Sequence, residues 1–557
     1  MLSKSSLIAA AAAVVTALGL VPAAGAGAAS CRQVEAPDEP PCNPALPDSP
    51  WGASHRNSYA QASSPYPGLR SADVRPQHLA LPGIPIQIQF TQPYRDGGRV
   101  AWASLVSSVD NRPLVKVDVN SGQLIDTYRT DQRETDPPMS GGGLTGAYNV
   151  LDRDGNFIVP RGTAIDVFGD ERPGERLSPI ALRRRFFLPP SALCRDDDRI
   201  AGATMTYSGR LAFVTAQGMV GVVPRQPGRM TEDNLRILSL NGSRCAASGV
   251  ATESLEQVSN SIAADEDGGI YVVTSKRMHR VDFDARTRRL TRTWAVPYNA
   301  GSGTSEIRLG EGSGSTPTVM GTGDQDKLVV ITDGQDVMHE DLFWRDEVPK
   351  DFRRLRNRPR RMACEHPVTF GDPRIRAAVS EQSVTVRGYA TLNVQNILDF
   401  TFDPAATGAV RTALAGLRGG DPAAAPHGAQ RIDWDPERRR CHSVWANRRV
   451  SVPNGIPAMS ARSGLAYTIA QRRGFWGVEA LDWDTGRSKF FAPAAATGCG
   501  QEALDLLAQA PVNTLLRPVL DELPQSCENS FYAATEVGPG GAIWTGTFLG
   551  LTIYRPG

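Results

Sequence analysis

Six short polar clusters lead directly into apolar runs of this 557-residue chain: Tyr148-Asn149, Ser259-Asn260, Ser315-Thr316-Pro317, Glu381-Gln382-Ser383, Pro453-Asn454-Gly455 and Glu528-Asn529-Ser530. Two carboxylates and four asparagines at equivalent places are more polar atoms than a dry interior needs. Carboxylate and amide oxygens are the donors that a hard cation such as Ca²⁺ selects. The same side chains also hydrogen-bond backbone at turns or hold buried water, which is the ordinary role of any one of them. Other chemistries find less. The seven histidines are scattered, and His339 beside Asp336 or Glu340 is the nearest approach to a general-base pair. No two cysteines are adjacent and no CxxC or CxxCH occurs, which disfavours a structural zinc site and attached haem. Neither a nucleophile elbow nor a Walker loop is present, so triad hydrolases and nucleotide binding have no support.

The elements that must position these clusters repeat. Residues 259–274 read Ser-Asn-Ser-Ile-Ala-Ala-Asp-Glu-Asp-Gly-Gly-Ile-Tyr-Val-Val-Thr, a short strand, a polar turn and a second strand. Asp-Gly between apolar runs marks a hairpin, because glycine enters the positive-φ region without steric cost. Equivalent glycines stand at 97, 155, 209, 268, 323, 388, 464 and 540, with intervals of 58, 54, 59, 55, 65, 76 and 76 residues. Eight markers predict an all-β ring of eight four-stranded units, and the irregular Gly388 leaves seven open. In such a ring the first strand of each unit lines a central channel. The polar clusters, remote in sequence, then meet on one face, with Asn149, Ser259, Thr316 and Asn529 lining it. After Gly540 the chain ends about two strands later, so the last unit lacks an outer strand. The segment before Gly83 is placed to supply it and close the ring. Two insertions break the rhythm. Residues 346–366 form an arginine-rich loop, read as a solvated face, with an anionic-ligand lip as the other reading. Residues 500–523 carry leucines at helical spacing between Cys499 and Cys527, read as a disulfide-tied helical cap and a candidate lid.

The repeat resembles the blades of secreted quinoprotein-like and gluconolactonase-like β-propellers. Val-Lys-Val-Asp-Val-Asn-Ser-Gly before residue 123 and Glu-Ala-Leu-Asp-Trp-Asp-Thr-Gly before residue 487 carry the outer hairpin seen in quinoprotein-like blades. The run Trp51-Gly-Ala-Ser-His55-Arg56-Asn57 resembles their N-terminal segment, which implies that Trp51 packs near the blade of Trp544. Ser-Asn-Ser-Ile and Pro-Asn-Gly-Ile resemble the strand-leading motif of gluconolactonase-like propellers. That resemblance implies a Ca²⁺ site at Asn260 and Asn454, to which spacing adds Glu381 and Glu528. Quinone-dependent dehydrogenases of similar fold carry adjacent cysteines and periodic tryptophans, and this chain has neither. The functional expectation is therefore a propeller that binds a small molecule or polymer at the channel mouth, with no catalysis assigned. A Ca²⁺-dependent lactonase or esterase-like hydrolase is the alternative, and an extracytoplasmic protein-interaction scaffold the second.

Composition agrees with an exported, turn-rich protein. Glycine and proline number 54 and 41, and 60 basic residues nearly balance 59 acidic ones, which points away from nucleic acid. Residues 1–28 read as a secretory signal, with Lys4, an apolar run from Leu7 to Val21 and Ala26-Gly27-Ala28 at the cleavage site. Secretion to the periplasm or medium is expected, without an integral span and as a monomer. A lipid anchor at Cys31 is the less favoured reading, since alanine stands where lipoprotein sites carry leucine. Residues 29–82 form an extended arm, and 83–557 the ring. Export makes disulfides of the eight cysteines. Sequential pairing, one of many connectivities, gives 31–42, 194–245, 364–441 and 499–527.

Overall fold

The computed structural model describes residues 36–47, 57–106, 113–129, 147–245, 247, 249–301, 310–401, 414–494, 505, 513–548 and 550–557. The expected signal segment, Cys31, Trp51 and Cys499 lie outside these residues. Eight sheets succeed one another along the chain, each built on strands that neighbour one another antiparallel in chain order, with four such strands in seven of them and three in the last. The molecule is an eight-bladed β-propeller. The first strands of blades 1 to 8 are Ile84–Phe90, Val150–Leu151, Ile200–Met205, Ala263–Ala264, Thr318–Met320, Thr385–Arg387, Ala458–Ser460 and Thr535–Val537.

Position within a blade dictates strand chemistry. The second strand of blade 4, Gly269–Val273, is buried at every residue, because both of its faces meet neighbouring blades. The outermost strand, Arg289–Pro297, buries only Trp294 and Val296 and turns most of its other residues to solvent. All eight marker glycines lie in the turn between first and second strands, each at positive φ, from 54° at Gly323 to 96° at Gly268. The late intervals lengthen because chain is inserted. Residues 345–361 separate the last two strands of blade 5, residues 395–428 the middle strands of blade 6, and residues 494–534 blades 7 and 8. The arginine-rich loop of blade 5 is anchored by Phe352, whose ring meets Trp344 edge-on at 5.3 Å. The helix Asn513–Glu522 lies within the expected helical insertion.

The ring is closed by residues that precede blade 1. Val74–Ala80 pairs antiparallel along Gly550–Pro556, from Val74 opposite Pro556 to Ala80 opposite Gly550, and becomes the outermost strand of blade 8. Blades 8 and 1 then share one core, in which Phe90 meets Trp544 edge-on at 5.3 Å. Residues further upstream take an unforeseen course. The carbonyl of Ser58 accepts from Ala264 N, Tyr59 from Val319 N, Gln61 from Val386 N and Ala62 from Met459 N. Asn43 Nδ2 donates to the Met205 carbonyl at 3.1 Å, and Ser63–Ser64 runs parallel to Ala458–Ser460. The arm is thus threaded along the first strands of blades 3 to 7.

Cys194 is bonded to Cys245 and Cys364 to Cys441. Cys42 and Cys527 are also disulfide-bonded. A non-reduced digest is expected to join them to Cys31 and Cys499, and any other partner would displace the blade boundaries. Replacing Cys364 and Cys441 together by serine should lower unfolding free energy by about 2–5 kcal/mol, measured by urea denaturation.

Candidate functional site

The polar clusters do gather on one face, where the first strands begin, but most of them stitch blades together. Ser261 N donates to Thr316 Oγ1 at 3.1 Å, and Ser261 Oγ to the Ala203 carbonyl. Thr316 N donates to Ser383 Oγ, and Thr385 Oγ1 to the Pro457 carbonyl. Thr535 N donates to the Ile456 carbonyl, and Ala534 N to that of Ile86. Asn149 N donates to Gln87 Oε1, and its Nδ2 to Ser104 Oγ and the Ala147 carbonyl. Short polar side chains recur before first strands because blade-to-blade seams there need partners for backbone groups that no sheet satisfies.

The four candidate ligands divide among three places. Asn260 is buried and donates to Ser259 Oγ and to the Ser313 carbonyl. Asn454 donates to the Gly416 carbonyl and accepts from Ser530 Oγ, while Asn529 donates to that same carbonyl. These asparagines hold down the blade 6 insertion. Glu528 turns toward the outer strands of its own blade, accepting from Thr552 Oγ1 at 2.9 Å with His78 Nδ1 at 3.6 Å. Burial raises its pKa, partly offset by His78 and the Thr552 hydrogen bond. Glu256 of blade 4 occupies the equivalent place, seven residues before a first strand, with Thr274 and His279 as partners.

Glu381 is the candidate carboxylate left on the side of Asn260. It is buried, its backbone N–H is held by Asn396 Oδ1 at 2.8 Å, and its carboxylate lies against Gly314, where any Cβ would collide with it. Two tyrosines feel its charge. Burial pushes Tyr148 up to about 12, offset by its hydrogen bonds to Thr316 and Ser261 and reinforced by Glu381. Burial and then Glu381 raise Tyr532 further. Tyr148 leads into blade 2 yet contacts blades 4 and 5, so it reaches across the channel. Tyr532 precedes blade 8 and has φ of 65°, a left-handed conformation that aims its ring. Sequence patterns missed Tyr532; the aromatic pair Phe531-Tyr532 directly after the Glu528-Asn529-Ser530 cluster was the available signal.

An apolar roof covers one side of this mouth. Val519 and Leu520 of the helix, Leu417 of the blade 6 insertion, Phe531 and Tyr532 pack on Ile84 and Ile86. Arg418 bridges to Glu522 at 2.9 Å. The threaded arm runs along the first strands of blades 3 to 7, and Tyr148, Asn260, Thr316 and Glu381 lie where those strands begin.

A second acidic group was not foreseen. Asp333, Asp341 and Glu365 of blade 5 each place a ligand atom within 4.8 Å of the others. Its sequence signal was the charged run His339-Glu340-Asp341 inside a strand.

Eight blades and a closing N-terminal strand define the class. Quinohemoprotein alcohol dehydrogenases share the fold: that of Comamonas testosteroni has a TM-score of 0.50 at 11% identity, covering 81% of this chain and 74% of that one. The enzyme ADHIIG of Pseudomonas putida HK5 likewise has 0.50 at 12% identity, covering 81% and 73%. At such identities the likeness concerns the fold alone. The chain belongs to the same family as an uncharacterized protein of Archaeoglobus fulgidus, 40% identical over 514 residues, which are 92% of this chain and 88% of that protein. No family model matches the chain.

Proposed function

We propose that this is an extracytoplasmic binding propeller that takes a small polar molecule, or a segment of a polymer, at the leading mouth of its channel. One observation carries the reading: groups from blades 2, 5 and 8 surround the buried Glu381 carboxylate of blade 6. A buried carboxylate flanked by tyrosine hydroxyls and amide groups suits hydroxyl or amine donors. The disulfides accord with an oxidising compartment, and no described helix is long and apolar enough to cross a membrane.

The hydrolase alternative gains nothing specific, since Glu528 and Asn454 are engaged elsewhere. The test is a thermal-shift panel of amines, sugars, polyols and oligosaccharides on the full chain. Any hit is expected to bind at least tenfold more weakly to Glu381→Gln and to Tyr532→Phe. A hit indifferent to both substitutions places binding elsewhere and rejects this mouth. Lactone or ester hydrolysis that chelator abolishes replaces the binding reading with the hydrolase.

A further inference from the structure

We propose that blade 5 holds a divalent cation, Ca²⁺ or an ion of similar hardness, between the carboxylates of Asp333, Asp341 and Glu365. The site is independent of the channel mouth and uses none of its residues.

Strand register assembles it. Asp341 on His339–Trp344 stands opposite Ile331 of the second strand and Glu365 of the fourth. Residues directly opposite in antiparallel strands share a face, and Asp333, two positions beyond Ile331, continues along that face. Two of the carboxylates stand on paired strands and the third, Asp333, directly follows the second strand, so strand register brings all three together. Their ligand atoms lie within 4.8 Å of one another. An ion with oxygen ligands at about 2.3–2.6 Å can touch donors that far apart.

The second observation is Asp341 itself. It is fully buried, and neither carboxylate oxygen has a hydrogen-bond partner among the described residues. Glu365 Oε1 also lacks one, while its Oε2 accepts from Arg358 Nε at 2.7 Å. The neighbours show how unusual this is. Asp333 accepts from the backbone N–H groups of Gln335 and His339. Glu340 faces blade 6 and accepts from Thr391 Oγ1 at 2.7 Å and Asn393 Nδ2 at 2.6 Å. An unpartnered buried carboxylate costs several kcal/mol unless it is neutralised. Among the described residues three carboxylates stand against one guanidinium, that of Arg358, a deficit that one divalent ion fills. The donors are all oxygen, which selects Ca²⁺, Mg²⁺ or Mn²⁺ over softer metals. Gln335 Nε2 donates to Asp333 Oδ2 and lies 2.7 Å from His339 Nδ1, which stands 3.4 Å from the same oxygen.

The competing account puts a proton on Asp341, and the experiment separates the two. Full-length protein stripped with EDTA is titrated calorimetrically with Ca²⁺, Mg²⁺ and Mn²⁺, and its melting temperature is read with and without each ion. About one ion per chain is expected, with a rise of about 5 °C or more at saturation. Asp341→Asn should weaken ion binding at least 100-fold and, in chelator, melt no lower than wild type, because an amide relieves the orphaned charge. Glu365→Gln, should Asp341→Asn fail to fold, is expected to lose at least tenfold. Glu381→Gln should bind the ion as wild type does, so failure at the channel mouth and failure here remain distinct. A stripped wild type that takes up none of the three ions and shows no melting shift overturns the site in favour of the proton. Asp341→Asn binding as tightly as wild type overturns it as well.

Discussion

A chain shortened to begin at Leu81 is expected to lose the single cooperative melting transition of the full protein. The deletion removes Val74–Ala80, which covers Gly550–Pro556 along seven paired residues. Leu551, Ile553 and Tyr554, all buried in the intact ring, then lie on an open sheet edge. The same deletion takes away Tyr59 and Ala60, which sit in the core between blades 4 and 5. A second variant separates the two losses. Appending Val74–Ala80 after Gly557 is feasible because Gly557 N already donates to the Asp73 carbonyl at 3.0 Å. That variant should regain one transition at a lower temperature, since blade 8 is complete again while the threaded arm is missing. A chain from Leu81 that melts as the full protein does would show that closure contributes nothing.

Glu256→Gln should destabilise the protein by about 2–4 kcal/mol at pH 7 and by much less near pH 3. Glu256, 3% exposed, accepts from Thr274 Oγ1 at 2.7 Å and His279 Nε2 at 2.8 Å and pairs with Arg277. Burial alone would raise its pKa, but these hydrogen bonds and charges prevail and hold it down at about 2. Burial lowers His279, which therefore sits neutral and donates from Nε2. Both folded-state values lie below those of the unfolded chain. Each contribution is thus complete above the unfolded value and is lost as pH falls through the folded one. For Glu256 the window runs from about 4.5 down to about 2. Urea denaturation of both proteins at pH 7, 4.5 and 3 measures the gap, and one that stays constant across that range contradicts the assignment.

The blades were legible because each inner turn demands a residue at positive φ, and glycine meets that demand within a repeat of apolar runs. Even the irregular Gly388 occupies such a turn. Closure by the arm was legible from arithmetic, as a blade short of one strand must borrow it. The threading of residues 57–64 was not, since much of it rests on main-chain hydrogen bonds that any sequence can make. The polar clusters were legible as a place and less so as a role. Whether an asparagine before a strand faces a channel, a seam or an insertion depends on the neighbouring blade. Glu528 illustrates this: like Glu256, it reaches the third strand of its own blade. Asp333, Asp341 and Glu365 escaped notice because only strand register joins residues so spaced, and register is not written in any one strand.

The pairing of Arg75 with Pro556 spans 481 residues of chain. A strand synthesised before any blade is therefore the last to find its partner, and every blade must stand before the ring can shut. Such long-range closure is slow, because the entropy of a very large loop is lost before its contacts form. Until then two complementary edges wait on one molecule, Val74–Ala80 and Gly550–Pro556. At high concentration each can meet its counterpart on a second chain first, so refolding yield should fall with protein concentration as exchanged dimers and longer chains of propellers accumulate.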